Sequence, residues 1–430
     1  MEEYALPLNK PLYGELEVPG DKSISHRAVI FASLAEGTSQ ISHFLDGEDC
    51  MRTVNAFQAM GVSISKNKTT LIVEGTGPSN LKEPSIPLYF GNSGTTTRLM
   101  IGLLASLPIF TTVYGDESLS TRPMDRVVNP LKLMKAEING RANGKLLPLA
   151  IDGKQLHGFT YELPVKSAQV KSALLLAGLF ANGPTTIIEN TPTRNHTENM
   201  LKALGATITT RDGNITLSPL EQPLEPLNLY VPGDISSAAF FMVACAIIPK
   251  SSLLIRNVGL NETRTGIIDI LERMGARIQT KNERVVHGEK IGDVSISQAP
   301  LSSTIIEGTI IPRLIDEIPI IALLATQAEG TTIIRNAEEL KVKETDRIKA
   351  IVDVLQTLGA KIEGTDDGLI IHGRTNLTGG KVKSFGDHRI AMMSVIASLI
   401  SNEKVFIDDT SSVSISYPSF FSDLNHIITT

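Results

Sequence analysis

Cysteine is nearly missing from this chain: Cys50 and Cys245 are its only two among 430 residues, far apart and in apolar surroundings. They form neither a disulfide framework nor a ligand spacing, which favours a reduced, cytoplasmic protein. A basic surplus is missing too. The formal net charge is −6 and the pI is near 5.8, which argues against a protein built for nucleic acid or anionic membrane, so any basic site is local. Long hydrophobic runs are also lacking. The longest, 99–110 and 238–249, fall short of the roughly 20 residues a membrane span requires and read as buried helices. The opening MEEYALPLNK has no apolar h-region, so no secretory leader is expected. None of the eight histidines belongs to a His-x-x-x-His or Cys-x-x-Cys pattern, so no catalytic metal is read.

What remains is an ordinary globular composition, 42% hydrophobic and 20% charged, in a chain long enough for two or more domains. Internal similarity organises it. Six segments run from a small or acidic capping cluster into an apolar helix, starting at Asp21, Asn92, Lys166, Asp234, Asp316 and Asp387, with the widest gap before Asp316. Between them an amphipathic helix ends at a glycine and is followed by two short alternating runs joined by a polar turn. This second element begins at Phe57, Leu201, Leu271 and Leu355, and a fifth copy at Leu131 has Lys135 where the others have glycine. Each repeat reads as β-α-β-α-β-β. The sixth reaches the C-terminus before its hairpin, and residues 1–18, whose YGELEV reads as a strand, are expected to complete it.

The repeat also divides into halves, because Val18-Pro19-Gly20-Asp21 recurs as Val231-Pro232-Gly233-Asp234. Both copies read as hinge strands between two domains. The expected boundaries are 20–229 for an inserted domain, and 1–19 with 230–430 for a discontinuous one.

The helix starts differ in what they carry: Lys22 with Arg27, Arg98, Lys171, Asp316 with Glu317, and His388 with Arg389. A fixed cation conflicts with the positive end of a helix dipole, and a bound anion removes that conflict. Lys22, Ser23 and Arg27 therefore read as a phosphate or carboxylate site, or else as a plain N-terminus with Asp21 or Ser23 as cap and Lys22 solvated. If the six helices are arranged alike in two pseudo-threefold domains, their starts converge on the cleft between them and make it electropositive. Three loops add charge: Arg122 before Pro123, Arg194 with His196, and Lys343, Glu344 and Arg347 at a helix start. A surface turn, a capping segment and a salt-bridged helix face are the respective alternatives. The plain reading of His388 is the start of a helix capped by Asp387, with Arg389 exposed.

PGDKSISHR, GNSGTTTR, STRP, KSAQ, the Asp316-Glu317 pair, VKETDR and GDHR occur in this order along the chain. In that order and spacing the sequence resembles the 5-enolpyruvylshikimate-3-phosphate synthase family over essentially its whole length. The resemblance implies an α/β fold, a two-domain inside-out α/β barrel with three βαβαββ repeats around a pseudo-threefold axis in each domain. It implies transfer of the enolpyruvyl group of phosphoenolpyruvate to the 5-hydroxyl of shikimate 3-phosphate, without a cofactor, in an interdomain cleft that closes. Lys22, Ser23, Arg27, Ser167, Gln169, Arg194, Asp316 and Lys343 are then expected on shikimate 3-phosphate. Lys22, Gly94, Arg122, Gln169, Arg347 and Arg389 are expected on phosphoenolpyruvate. Asp316 matches the acceptor of the hydroxyl proton, Glu344 with Lys22 the pair handling protons at the methylene carbon, and His388 a supporting donor. The resemblance also implies a monomer and glyphosate binding at the phosphoenolpyruvate site.

The sequence departs from the family in places. Many members have a Lys just before the aromatic-Pro pair near the C-terminus, where this chain has Ser414-Ile415-Ser416-Tyr417-Pro418. Ala168 stands where a Ser is frequent, and Leu99 where some members have Pro. The nearest competing reading is a UDP-N-acetylglucosamine enolpyruvyl transferase, which typically has a reactive Cys in the loop matching 116–126 and Lys-Asn in place of Lys22-Ser23. This chain has neither feature. A non-catalytic repeat protein that binds phosphorylated ligands would leave Asp316 and Glu344 unexplained.

Overall fold

The structure is a computed structural model that describes residues 2–4 and 10–429. Its elements repeat six times. In the second repeat, Leu88–Tyr89, Phe110–Tyr114, Leu146–Asp152 and Glu137–Gly140 lie side by side in that order, the first pair parallel and the other two antiparallel. Four further sheets share this four-stranded order. The chain is therefore α/β with mixed sheets, and the alternating runs read from the sequence are their hairpins. It folds as two compact bodies. One holds Gly20–Val231 with Val285–Glu289; the other holds the described residues of Met1–Pro19, Pro232–Arg284 and Lys290–Thr430.

The first helix of each repeat is apolar around its circumference, so it is stable only when surrounded. All 13 residues of Ile235–Ile247 are buried, as is nearly all of Lys22–Leu34, Gly94–Ala105, Ala168–Gly178, Ile318–Thr326 and His388–Ser398. Gly94–Ala105 and Ala168–Gly178 approach so closely that a Cβ on Gly102 would stand 2.1 Å from the Ala173 carbonyl oxygen. Only glycine fits there. The second helices are amphipathic: Gly266–Arg273 buries Ile267, Ile268, Ile270 and Leu271 and turns its charged residues outward. The wide spacing before Asp316 comes from the fourth hairpin, whose strands Arg277–Val286 and Glu289–Ser297 have 10 and 9 residues.

The N-terminal segment completes the sixth repeat as expected, but not through YGELEV. Tyr13–Leu16, the YGELEV strand, runs parallel to Ser252–Gly259 and so leads the fourth repeat. Glu2–Tyr4 instead completes the sixth, antiparallel to Val405–Ile407. Residues 1 and 5–9 of the segment lie outside the described residues. Asn228–Tyr230, ahead of the second Val-Pro-Gly-Asp, leads the first repeat by pairing with Gln40–Ser42. The two hinge segments have thus exchanged lead strands: each strand pairs in the body opposite to the helix that follows it. Among the described residues no helix is long and apolar enough to cross a membrane.

The second helices of the first five repeats close on a residue with positive φ, namely Gly61 (91°), Lys135 (74°), Gly205 (87°), Gly275 (96°) and Gly359 (87°). A side chain in the left-handed region costs roughly 1–2 kcal/mol, partly offset by the extra freedom glycine has in the unfolded chain. Lys135→Gly is expected to stabilise the protein by about 0.5–1 kcal/mol, read as a higher midpoint in urea with an unchanged slope.

Candidate functional site

In the inserted body, Asp21 caps the first central helix by accepting from the Ile24 N–H at 2.9 Å. Lys22 is not solvated. Its Nζ lies 2.9 Å from Asp49 Oδ2, at the first turn of Glu48–Ala59. One turn on, buried Arg27 donates from Nε to Thr197 Oγ1 at 2.6 Å, from one terminal nitrogen to the Ser23 carbonyl at 2.9 Å and from the other to Ser172 Oγ at 2.6 Å. Burial, with a contribution from Arg194, pushes the guanidinium down to about 10, against the pull of Glu198 and Asp21. It remains a cation at neutral pH. His26 is buried as well, and burial followed by Lys22 and Arg27 holds it well below the usual imidazole range. Hydroxyls link this helix to the second: His26 Nδ1 to Thr53 at 2.8 Å, Thr53 to Thr96 at 2.9 Å, and Thr96 to Ser93 at 2.7 Å.

Ser93 caps the second central helix, and Gly94 opens it. A Cβ on Gly94 would stand 2.9 Å from a terminal nitrogen of Arg98 and 3.4 Å from one of Arg122, so both guanidinium groups border the space it leaves. Arg98 donates to Gln169 Oε1 at 2.7 Å, and Gln169 donates to Thr95 Oγ1 at 3.0 Å. Arg122 is held by the Asn92 side chain and carbonyl and by Ser118. Its Nε is buried without a protein acceptor. Ser167 caps the third central helix, and like Ser23, Gln169 and Arg194 it is partly open to solvent.

Lys171 does not add to this surface. It is completely buried, with Nζ 3.1 Å from Glu189 and 2.7 Å from Glu198. It also donates to the Thr193 carbonyl at 3.3 Å. Its charge anchors the loop that carries Arg194. His196, two residues beyond Arg194, is likewise buried, with Nδ1 2.9 Å from Glu289 Oε1.

In the other body Arg347 is the hub. It is 1% exposed, with Nε 2.8 Å from Asp387, one terminal nitrogen 2.6 Å from Glu344 and the other 3.3 Å from Asp316. Burial opposes its charge, but Asp387, Glu344 and Asp316 outweigh it and raise its pKa. Lys343 Nζ also reaches Asp316 Oδ1, at 3.1 Å. The expected shared helix start is corrected here. Asp346 caps a helix that begins only at Arg347, so Lys343 and Glu344 lie in the loop before it. Glu344 meets Arg347 directly, its Oε2 accepting from a terminal nitrogen. Asp387 accepts from the Arg389 N–H at 2.8 Å and so caps His388–Ser398 while holding Arg347. His388 and Arg389 are buried, so of the plain helix-start alternative the Asp387 cap holds and the exposed Arg389 does not.

Lys22, Ser23, Arg27, Gly94, Arg122, Ser167, Gln169 and Arg194 therefore belong to the central-helix starts of one body and the loops beside them. Asp316, Lys343, Glu344, Arg347, His388 and Arg389 belong to the other. Sequence reasoning missed the partners that hold these groups: Asp49, Asn92 and Asp387. Asn92 and Asp387 sit inside quoted motifs, whereas Asp49 lies on a second helix with no motif to mark it. Among the described residues no cluster of His, Cys, Asp and Glu is placed to hold a metal ion.

Two chemistries stand ready in this arrangement: cations presented at helix starts, and paired carboxylates on one guanidinium. The enolpyruvyl transferase NikO from Streptomyces tendae superposes with a TM-score of 0.79 at 18% identity, over 97% of this chain and 95% of that one. The fold is thus that of the enolpyruvyl transferases. The family model for EPSP synthase (3-phosphoshikimate 1-carboxyvinyltransferase) matches residues 8–424, and the chain belongs to that family. It is 59% identical over 422 residues to a 3-phosphoshikimate 1-carboxyvinyltransferase from Oceanobacillus iheyensis, covering 98% of each. An EPSP synthase from Acinetobacter baumannii superposes with a TM-score of 0.88 at 43% identity, covering 98% of this chain and 97% of that one.

Replacing Lys171 by Met keeps the volume but leaves Glu189 and Glu198 buried without their cation. The expected loss is about 3–5 kcal/mol in denaturant unfolding, the range seen when one partner of a buried pair is removed.

Proposed function

We propose that this chain transfers the enolpyruvyl group of phosphoenolpyruvate to the 5-hydroxyl of shikimate 3-phosphate and releases phosphate. The observation that carries the reading is the placement of Asp316 and Glu344 on one buried guanidinium, Arg347, with Lys343 on the same Asp316 oxygen. Addition to an enol ether needs a proton delivered to its CH₂ carbon while the attacking hydroxyl loses one, so two proton carriers must act on one substrate. Asp316, flanked by two cations, takes the hydroxyl proton. Glu344 with Lys22 delivers and then recovers the proton at the methylene carbon, and elimination of phosphate restores the double bond. His388 supports them as a donor.

Lys22, Ser23, Arg27, Ser167, Gln169 and Arg194, with Asp316 and Lys343, bind shikimate 3-phosphate in this reading. Lys22, Gly94, Arg122, Gln169, Arg347 and Arg389 bind phosphoenolpyruvate. Two substrates with several negative charges require this density of cations, and Arg supplies paired donors to carboxylate and phosphate. The reaction therefore needs groups from both bodies, and we propose that they meet in a cleft that closes on the substrates. Glyphosate occupies the phosphoenolpyruvate position, and the protein acts as a cytoplasmic monomer.

Phosphate release from phosphoenolpyruvate is expected with shikimate 3-phosphate and not with UDP-N-acetylglucosamine; the reverse result, or release with neither, refutes the reading. Asp316→Asn and Glu344→Gln are each expected to lower kcat by roughly 10²–10⁴-fold, as loss of a general acid or base does. Gly94→Ala places a methyl group against Arg98 and Arg122. It is expected to raise the KM for phosphoenolpyruvate and the Ki of glyphosate about tenfold, within the roughly 1–3 kcal/mol of overpacking. Unchanged values for both would remove Gly94 from the site.

A further inference from the structure

The Asp-Glu pair at 316–317 leaves one member without a role, because only Asp316 enters the proposed chemistry. Glu317 is 1% exposed and sits at the start of the fifth central helix without capping it. Its Oε1 accepts from Ser236 Oγ, which in turn accepts from Arg264 at 2.8 Å. Its Oε2 is buried and has no hydrogen-bond partner in the protein. The cation facing it is Arg389, whose terminal nitrogen lies 3.8 Å from Oε1. That separation is too long for a hydrogen bond, so the two groups interact through charge and not through directed donors. The position of Arg389 is set elsewhere, by its place on the helix and the Asp387 cap on its N–H. Around Glu317 the other charges are already engaged: Arg264 with Asp234 at 3.1 Å, and Arg347 with Asp387, Glu344 and Asp316.

We infer that Glu317 is the resident counter-charge of Arg389, a positioning residue that sets how tightly this guanidinium holds an incoming or departing anion. The inference rests on the assignment of Arg389 to the phosphoenolpyruvate site. A nearly buried guanidinium with no counter-ion would be costly in the empty protein and would hold phosphate too strongly after reaction. A carboxylate in place at 3.8 Å moderates both effects without occupying the donors that a substrate needs. Neutralising Glu317 should therefore strengthen anion binding, a direction that structural damage does not produce.

The test is steady-state phosphate release at saturating shikimate 3-phosphate, with inorganic phosphate as competitor against phosphoenolpyruvate. Glu317→Gln keeps the shape and the acceptor for Ser236. It is expected to lower both the KM for phosphoenolpyruvate and the Ki of phosphate roughly tenfold, as loss of a nearby like charge implies, while Glu317→Asp stays within about twofold of wild type. Unchanged or raised values in Glu317→Gln overturn the role. Should that variant melt below the assay temperature, Ser236→Ala decides. Removing a donor leaves Glu317 a stronger competitor for Arg389, so a raised Ki supports the role and an unchanged or lowered one overturns it. A wild-type chain that releases no phosphate fails at the earlier step, taking the functional reading and this inference with it.

Discussion

The arrangement depends on compensating buried charge. Moving an ion out of water costs several kcal/mol even after relaxation, yet Arg27, Lys171, Arg347 and Arg389 all lie beneath the surface of their bodies. Each has a partner suited to its position. Lys171 has two carboxylates, Arg27 has two hydroxyls and a carbonyl, and Arg347 has three carboxylates at once. Where a cation is fully neutralised, as at Lys171, it is structural. Where its partners are carboxylates of the proposed site, as at Arg347, the same electrostatics that makes burial tolerable also gathers the proposed acid and base. Structure and chemistry are coupled through one guanidinium.

The fold makes this possible by repetition. An apolar helix buried on all sides still has unpaired N–H groups at its first turn, and these must be satisfied there. Asp21, Ser93, Ser167, Asp234 and Asp387 do so with side-chain caps. The helix starts are thus the polar positions in an otherwise apolar interior. The candidate functional groups lie where polarity is already required. The exchange of lead strands between the two Val-Pro-Gly-Asp segments ties each hinge into a sheet on one side and a buried helix on the other, so neither hinge is a free linker.

Much of this is legible along the chain. The sixfold period, the apolar first helices, the glycine that ends four of the second helices and the hairpins all follow from local patterning, because periodicity and backbone preference act within a few residues. Lys135 shows the force of the pattern: the architecture holds its φ positive even where the side chain resists it. Strand exchange was not legible, since YGELEV and the strand before Val231 carry no mark of which sheet they join. The shared helix start expected for Lys343, Glu344 and Arg347 does not form, because the Asp346 cap begins the helix only at Arg347.

The family motifs, the acidic balance and the identity of every candidate ligand were determined by the sequence alone. They depend on residue type and short spacing, which the linear order preserves. Only the tertiary structure decided which cations are structural and which stay open to solvent, and which carboxylate answers which guanidinium. Lys22 with Asp49, Arg389 with Glu317 and Arg347 with Asp387 join residues 27, 72 and 40 positions apart. Charge compensation acts through space, and nothing in the order of the chain records it.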